Sequence, residues 1–181
     1  TQITDALCVV HAHGVLHRDI KPQNILLNQN NDVKIIDFGV ARVAGSMLTM
    51  TNSQFGTPMY MSPEAFDGAR DIDERSDIFS LGVIAYEMYT KRKPFMGTGI
   101  EKLIFNIKFT PPDDPLKYNP NIQPEVREMI SFMLRKDPEE RYRNANELMK
   151  TIEDISNYRY KIREKDGLTG RIMGKKNFWN S

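Results

Sequence analysis

Residues 76–89, SDIFSLGVIAYEMY, carry apolar side chains on nearly every face of the helix they would form. Ile78, Leu81, Ala85, Met88 and Tyr89 recur at helical spacing, and the other apolar residues of the stretch extend the apolar surface nearly all round. Such a helix is stable only when other elements enclose it, so it is read as a buried central helix. The chain offers the partners. Residues 3–12 place Ile3, Leu7 and Val10 on one face and end before Gly14. Ile100, Leu103, Ile104 and Ile107 mark another helix after a connection from the central one. Pro124 opens a further helix, where a missing N–H costs nothing, carried by Val126, Met129, Ile130, Met133 and Leu134. Asn144 with Glu147 forms a capping box for a last one, with Leu148, Ile152 and Ile155 inward.

Against this helical body stands one β signal. Ile25–Leu27 and residues 33–36 are short apolar runs joined by NQNND, which reads as a small β-hairpin. The fold class is therefore mainly α with a small β-hairpin. Residues 37–64 are rich in Ser, Thr, Gly and Met without a period, and read as a long loop, a class that is usually functional or disordered. At 181 residues the chain is one domain or a large piece of one. We divide it into residues 1–157 and a basic tail or linker, 158–181.

Bulk properties exclude several classes. A net charge of +1 gives no global pull toward nucleic acid, so no nucleic-acid partner is expected. A single cysteine, Cys8, cannot form an intramolecular disulfide, which points to a cytoplasmic setting. The stretch 81–89 is too short and interrupted to span a bilayer, and no secretory leader opens the sequence. The first residue, Thr1, falls within a helical pattern, so the chain is expected to be cut from something longer.

The chemistry concentrates in GVLHRDIKPQNILL, residues 14–27, and in the hairpin residues up to Asp37. If the two apolar runs pair, Asn24 and Asp37 emerge at the same end of the hairpin. Carboxylate and amide oxygens converging there suit a hard divalent cation. Asp19, on the loop leading in, could accept a proton from a hydroxyl. Lys21 adds a cation suited to a phosphoryl oxygen. Base, cation and metal site together fit phosphoryl transfer, which needs positioning and charge neutralisation more than covalent chemistry.

The order of motifs resembles the protein kinases. HRDIKPQN (17–24) is similar to their catalytic loop, DFG (37–39) follows at the expected distance, and GTPMYMSPE (56–64) resembles the end of their activation segment. SDIFSLGV (76–83) and LRKDPEERY (134–142) resemble their central-helix and late-helix signatures. Lys21 followed by Pro22, and Gly56 followed by Thr57, favour the serine/threonine branch. SDIFSLG, YMSPE and the threonine pair Thr49 and Thr51 look most like bacterial members.

That resemblance implies a set of roles. Asp19 would be the catalytic base, Lys21 would contact the transferring phosphate of ATP, and Thr57 would help to hold both. Asn24 and Asp37 would hold magnesium (Mg2+), and Leu26 would floor the adenine pocket. His17, Phe38 and Asp77 would form the scaffold beneath the site, with Asp77 accepting hydrogen bonds from the loop backbone. Glu64 and Arg141 would form a buried ion pair. Arg18 beside the base calls for an anion, and a phosphate on Thr49, Thr51 or Ser53 would supply it. Protein substrates, and dimerisation for autophosphorylation, are the implied partners.

The family's smaller lobe would precede these motifs. GTG at 97–99 lies after them and is not its glycine-rich loop. The chain is therefore read as the C-terminal lobe, inactive alone. Ser62 stands where the family usually has alanine, and Phe79 where tryptophan is common. The alternative is a non-catalytic kinase-like docking module that uses the helix within 98–109. His11 and His13 with His17 make a poor metal site, lacking a cysteine or carboxylate at ligand spacing. The tail reads first as a solvated linker. A second reading puts Lys175, Lys176 and Trp179 just before a membrane anchor beyond Ser181.

Overall fold

The computed structural model describes residues 1–38, 58–68 and 72–164. Its elements are α1 (Gln2–Ala12), β1 (Ile25–Leu27), β2 (Val33–Ile35), α2 (Glu74–Thr90), α3 (Ile100–Phe109), α4 (Pro124–Met133) and α5 (Ala145–Glu164). Single turns of 3-10 helix at Pro22–Asn24, Pro58–Tyr60, Pro63–Phe66, Pro115–Lys117 and Pro138–Glu140 sit in the connections.

Helix α2 is the core element. Residues 76–84 are buried without a break, and Ile78, Phe79 and Val83 are wholly inaccessible. Asp73 caps the helix by accepting from Arg75 N at 2.9 Å. Burying polar side chains is costly unless they are bonded. Ser80 accordingly donates to Ser76 O at 3.1 Å and Thr90 to Tyr86 O at 2.7 Å. The all-round burial expected of this helix stops before its end, because Met88 is 63% exposed and Tyr89 lies partly open. The last turn keeps one covered face, formed by Tyr86 and Thr90 four residues apart, with the Tyr86 hydroxyl bound to Asp113 O at 2.9 Å.

Helix α4 crosses α2 closely at Gly82. A Cβ there would stand 2.7 Å from Met133 Cβ and 3.2 Å from Leu134 Cδ2. Pro124 opens α4 as expected. Asn144 caps α5, accepting from Glu147 N at 2.9 Å, while Glu147 accepts from Arg143 N at 2.7 Å. The helix continues past residue 157, where the tail was expected to begin.

Helix α1 lies against α5 and β2. Gly14, at φ +70°, turns the chain out of α1, and Val15 N returns to Val10 O at 3.1 Å. The hairpin pairs Ile25 with Ile35, Leu26 with Lys34 and Leu27 with Val33. Ile25 and Ile35 pack against the core, whereas Leu26 and Leu27 are exposed. Gln2 of α1 grips the hairpin turn, donating to Asn31 O at 3.1 Å and accepting from Val33 N at 2.7 Å.

Candidate active site

The loop between α1 and β1 is held from below by α2. Asp77, buried in the first turns of α2, accepts from His17 N through Oδ2 at 2.9 Å and from Arg18 N through Oδ1 at 2.8 Å. One carboxylate thus clamps two successive backbone amides. Arg18 sits at φ +62°, a left-handed conformation that is strained for a side chain of this size. The arginine side chain is exposed.

His17 ties the loop to the hairpin exit. Its Nε2 donates to Ile36 O at 3.0 Å and its Nδ1 accepts from Asp19 N at 3.3 Å, which fixes the tautomer. Its ring lies against Phe38, with centroids 4.6 Å apart. The loop and the two ends of the hairpin are therefore one assembly.

Asp19 is the focus of that assembly. Lys21 Nζ lies 2.7 Å from Asp19 Oδ2. Asn24 Nδ2 donates to Asp19 O at 2.8 Å and to Oδ2 at 3.1 Å. Since the amide nitrogen is committed to Asp19, the Asn24 Oδ1 is the atom available to a cation. Ile36 N donates to Asn24 O at 2.9 Å, which brings Asp37 beside Asn24 at one end of the hairpin. Asp37 is exposed and left-handed at φ +56°. A carboxylate and an amide oxygen at one edge fit a hard cation. Leu26 is 48% exposed on the adjoining strand, and Phe38 is also partly open.

Glu64 and Arg141 meet at the first turn of α2. The pair is bidentate, at 2.7 Å from Nη1 to Oε1 and 2.8 Å from Nη2 to Oε2. Ser76 Oγ also donates to Glu64 Oε1 at 2.6 Å. Burial pushes the Glu64 carboxyl up, but the bonds and charge of Arg141, with Ser76, hold it below its ordinary value. The Ser62 hydroxyl is buried without a hydrogen-bond partner among the described residues.

Thr49, Thr51, Ser53 and Thr57 lie outside the described residues. Three groups had no role in the sequence reading. His11 reaches Asp77 from α1, its Nε2 at 2.9 Å from Oδ2. Tyr60 donates to Glu87 Oε2 at 2.7 Å and accepts from Lys93 Nζ at 3.0 Å. Burial and then Glu87 push the Tyr60 hydroxyl above its usual range. Lys136 Nζ covers the end of α3, donating to Asn106 O at 3.2 Å and Ile107 O at 2.5 Å, over the Phe95 ring at 3.7 Å. Each contact joins distant parts of the chain, and no local spacing announces it.

Comparison with known proteins places these features in a context. The sequence profile described as "Protein kinase domain" matches residues 1–152. The serine/threonine-protein kinase drp72 of Corynebacterium efficiens is 40% identical over 156 residues, which cover 85% of this chain and 29% of that protein. PknA of Mycobacterium tuberculosis is 42% identical over 142 residues, covering 77% of this chain and 32% of its own. PknB of Mycolicibacterium smegmatis is 38% identical over 146 residues, covering 79% and 23%. The chain thus spans only 23% to 32% of the length of these relatives. Among solved structures, that of the Rad53 kinase domain and SCD2 in complex with AMPPNP aligns with a TM-score of 0.64 and 30% identity. The alignment covers 83% of this chain and 54% of that one.

Proposed function

The chain belongs to the protein kinase domain family, and from that membership we propose that it is the larger lobe of a bacterial-type serine/threonine protein kinase. The reaction is transfer of the ATP γ-phosphoryl group to a Ser or Thr hydroxyl of a protein substrate. Asp19 orients the hydroxyl and takes its proton as the oxygen attacks phosphorus. The bond to the β–γ bridging oxygen then breaks and ADP leaves. Lys21, paired with Asp19, keeps the base oriented and offers a cation to the phosphoryl oxygens. Asn24 Oδ1 and Asp37 hold Mg2+, which neutralises phosphate charge when bound. Leu26 floors the adenine pocket.

The observation that carries this reading is the triangle of Asp19, Lys21 and Asn24, at 2.7 and 3.1 Å on one carboxylate oxygen. The remaining roles follow the family pattern. Thr57 steadies Asp19 and Lys21, and Arg18 pairs with a phosphate carried on Thr49, Thr51 or Ser53. The nucleotide's glycine-rich cover belongs to a smaller lobe, so residues 1–181 alone are inactive. Among the described residues no helix is long and apolar enough to cross a membrane. A cytoplasmic kinase lobe, an anchor beyond Ser181 and dimerisation for autophosphorylation are parts of the same proposal.

The test is the intact mass of the protein expressed from the complete reading frame, incubated with ATP and magnesium, beside its Asp19→Asn variant. Added phosphate on the first and none on the second is the expected result. Bare mass on both, with no transfer to casein, overturns the catalytic reading. It would favour the docking module, for which the exposed Phe105 and Phe109 of α3 are the supporting observation.

A further inference from the structure

We propose that Lys93 is a specificity-determining residue for the phosphotransfer assigned above, and that it selects protein substrates carrying an acidic side chain near the acceptor hydroxyl. This inference rests on the kinase reading and names the class of substrate that such an enzyme takes.

Tyr60 is buried, and its hydroxyl joins two charges. It donates to Glu87 Oε2 at 2.7 Å and accepts from Lys93 Nζ at 3.0 Å. The ammonium also lies over the Tyr60 ring, 4.7 Å from its centroid. Both charges keep an open side, since the Lys93 side chain is 28% exposed and that of Glu87 32%. Lys93 Nζ and Glu87 Oε1 are 3.8 Å apart, close enough to attract but too far to hydrogen-bond. One of the three ammonium N–H groups is thus used on Tyr60, and among the described residues the other two have no acceptor. The mount is firm on both sides. Lys91 closes α2 at φ +59°, and Arg92 N donates to Thr90 Oγ1 at 3.1 Å. Phe95, two residues past Lys93, is buried and stacks on Phe79.

Local charge decides which ligand fits. Lys91 and Arg92 are exposed beside Lys93, so three cations stand against one carboxylate in this corner. An incoming guanidinium or ammonium would reach Glu87 only beside Lys93, and like charges that close repel. An incoming carboxylate finds two unused N–H groups on Lys93, and the one carboxylate nearby already has its cation. The site is also within reach of the base. The role proposed for Thr57 puts that residue against Asp19 and Lys21. Tyr60 follows three residues later, so its Cα lies within about 11 Å of the Thr57 Cα. An extended substrate advances about 3.3 Å per residue. A side chain about two to four residues from the acceptor hydroxyl therefore reaches the Lys93 ammonium.

The test uses the complete protein with ATP, magnesium and a set of serine peptides. The peptides differ only in carrying Asp, Ala or Arg at one position, about two to four residues before or after the serine. For each enzyme, kcat/KM is read relative to its own alanine peptide. At one or more positions the parent should favour Asp over Arg by about fivefold or more. Lys93→Met should lose that preference. With Glu87 left without its cation, the Arg peptide should overtake the Asp peptide at the same position. A purely structural lysine would lower all peptides together and leave the ratio as it was. The inference is overturned if the parent has no preference for Asp, or if Lys93→Met keeps the parent ratio. Should Lys93→Met fail to fold, Glu87→Gln decides. Removing the competing carboxylate must raise the Asp-to-Arg ratio, and an unchanged ratio overturns the inference. Transfer to casein without an acidic preference among the peptides defeats this inference alone. No transfer to any acceptor defeats the kinase reading with it.

Discussion

Replacing Glu64 by glutamine keeps the shape of the buried pair and removes its negative charge. Arg141 uses all five of its N–H groups: two on Glu64, one each on Arg135 O, Arg75 O and Lys136 O. The guanidinium side chain is 0% exposed and the Glu64 side chain 11%. In the glutamine variant the three carbonyls still accept, but nothing balances the charge, and the new amide sets N–H against N–H at one position. Breaking a buried pair from one side costs about 3–5 kcal/mol. A domain of this size has ~5–15 kcal/mol in all, so a large share of its stability goes. Removing both partners is different, because the uncompensated charge disappears with them. The assay is guanidinium unfolding of the parent, Glu64→Gln, Arg141→Met and the double variant. The double variant should fall short of the sum of the singles by about 2 kcal/mol or more. The acid side gives an independent reading. Glu64 titrates lower in the folded state than its ordinary value of 4.5, so its contribution is present above that pH and is lost as pH falls through the folded value. Glu64→Gln should lack that acid-side loss. Single variants within about 1 kcal/mol of the parent, or strictly additive effects, would refute the argument.

Gly82→Ala drives a methyl into Met133 and Leu134 where α2 and α4 cross, and should cost about 1–3 kcal/mol. An unchanged denaturation midpoint would mean that α4 can shift freely. Lys136 gives a pH signature of the same sign as Glu64, but in the neutral to alkaline range. Burial, and then the charge of Arg141, lower its pKa from 10.5 to about 7. Between these values the unfolded chain holds the proton that the folded one has released, so stability rises with pH across that window. Urea titrations from neutral to alkaline pH should find the rise in the parent and lose it in Lys136→Met. Parallel curves would show that Lys136 keeps its proton when folded.

Much of this architecture is legible from local pattern. The 3.6-residue stripe of 126–134, Pro124 at its start and the Asn144–Glu147 cap each depend on neighbours along the chain, and each element appears where the pattern puts it. The pairing of Ile25 with Ile35 brings Asn24 and Asp37 to one end, as their order implies. Contacts between segments were out of reach of local pattern, and the kinase resemblance implied only two of them, Glu64 with Arg141 and Asp77 under the loop. Tyr60 with Glu87 and Lys93, Lys136 on the end of α3, and His11 on Asp77 join groups about thirty to seventy residues apart. Arg18 is a sharper case. A left-handed residue is sought at glycine or asparagine, and here an arginine adopts it because a carboxylate on another helix holds its amide. The outward turn of Met88 was missed for a related reason, since periodicity identifies faces but not where the covering elements stop.

The clamp at Asp77 has a consequence for the order in which the molecule assembles. Its bonds to His17 and Arg18 span 60 and 59 residues of chain. Closing a loop of that size costs entropy before any contact repays it. The loop cannot acquire its shape from its own residues, and an excised peptide covering 14–38 would have nothing to hold Arg18 left-handed. The segment with the most chemistry is thus ordered only once α1, the hairpin and α2 have met. The same dependence runs backward: any loosening of α2 dissolves the geometry around Asp19 while the helices themselves persist.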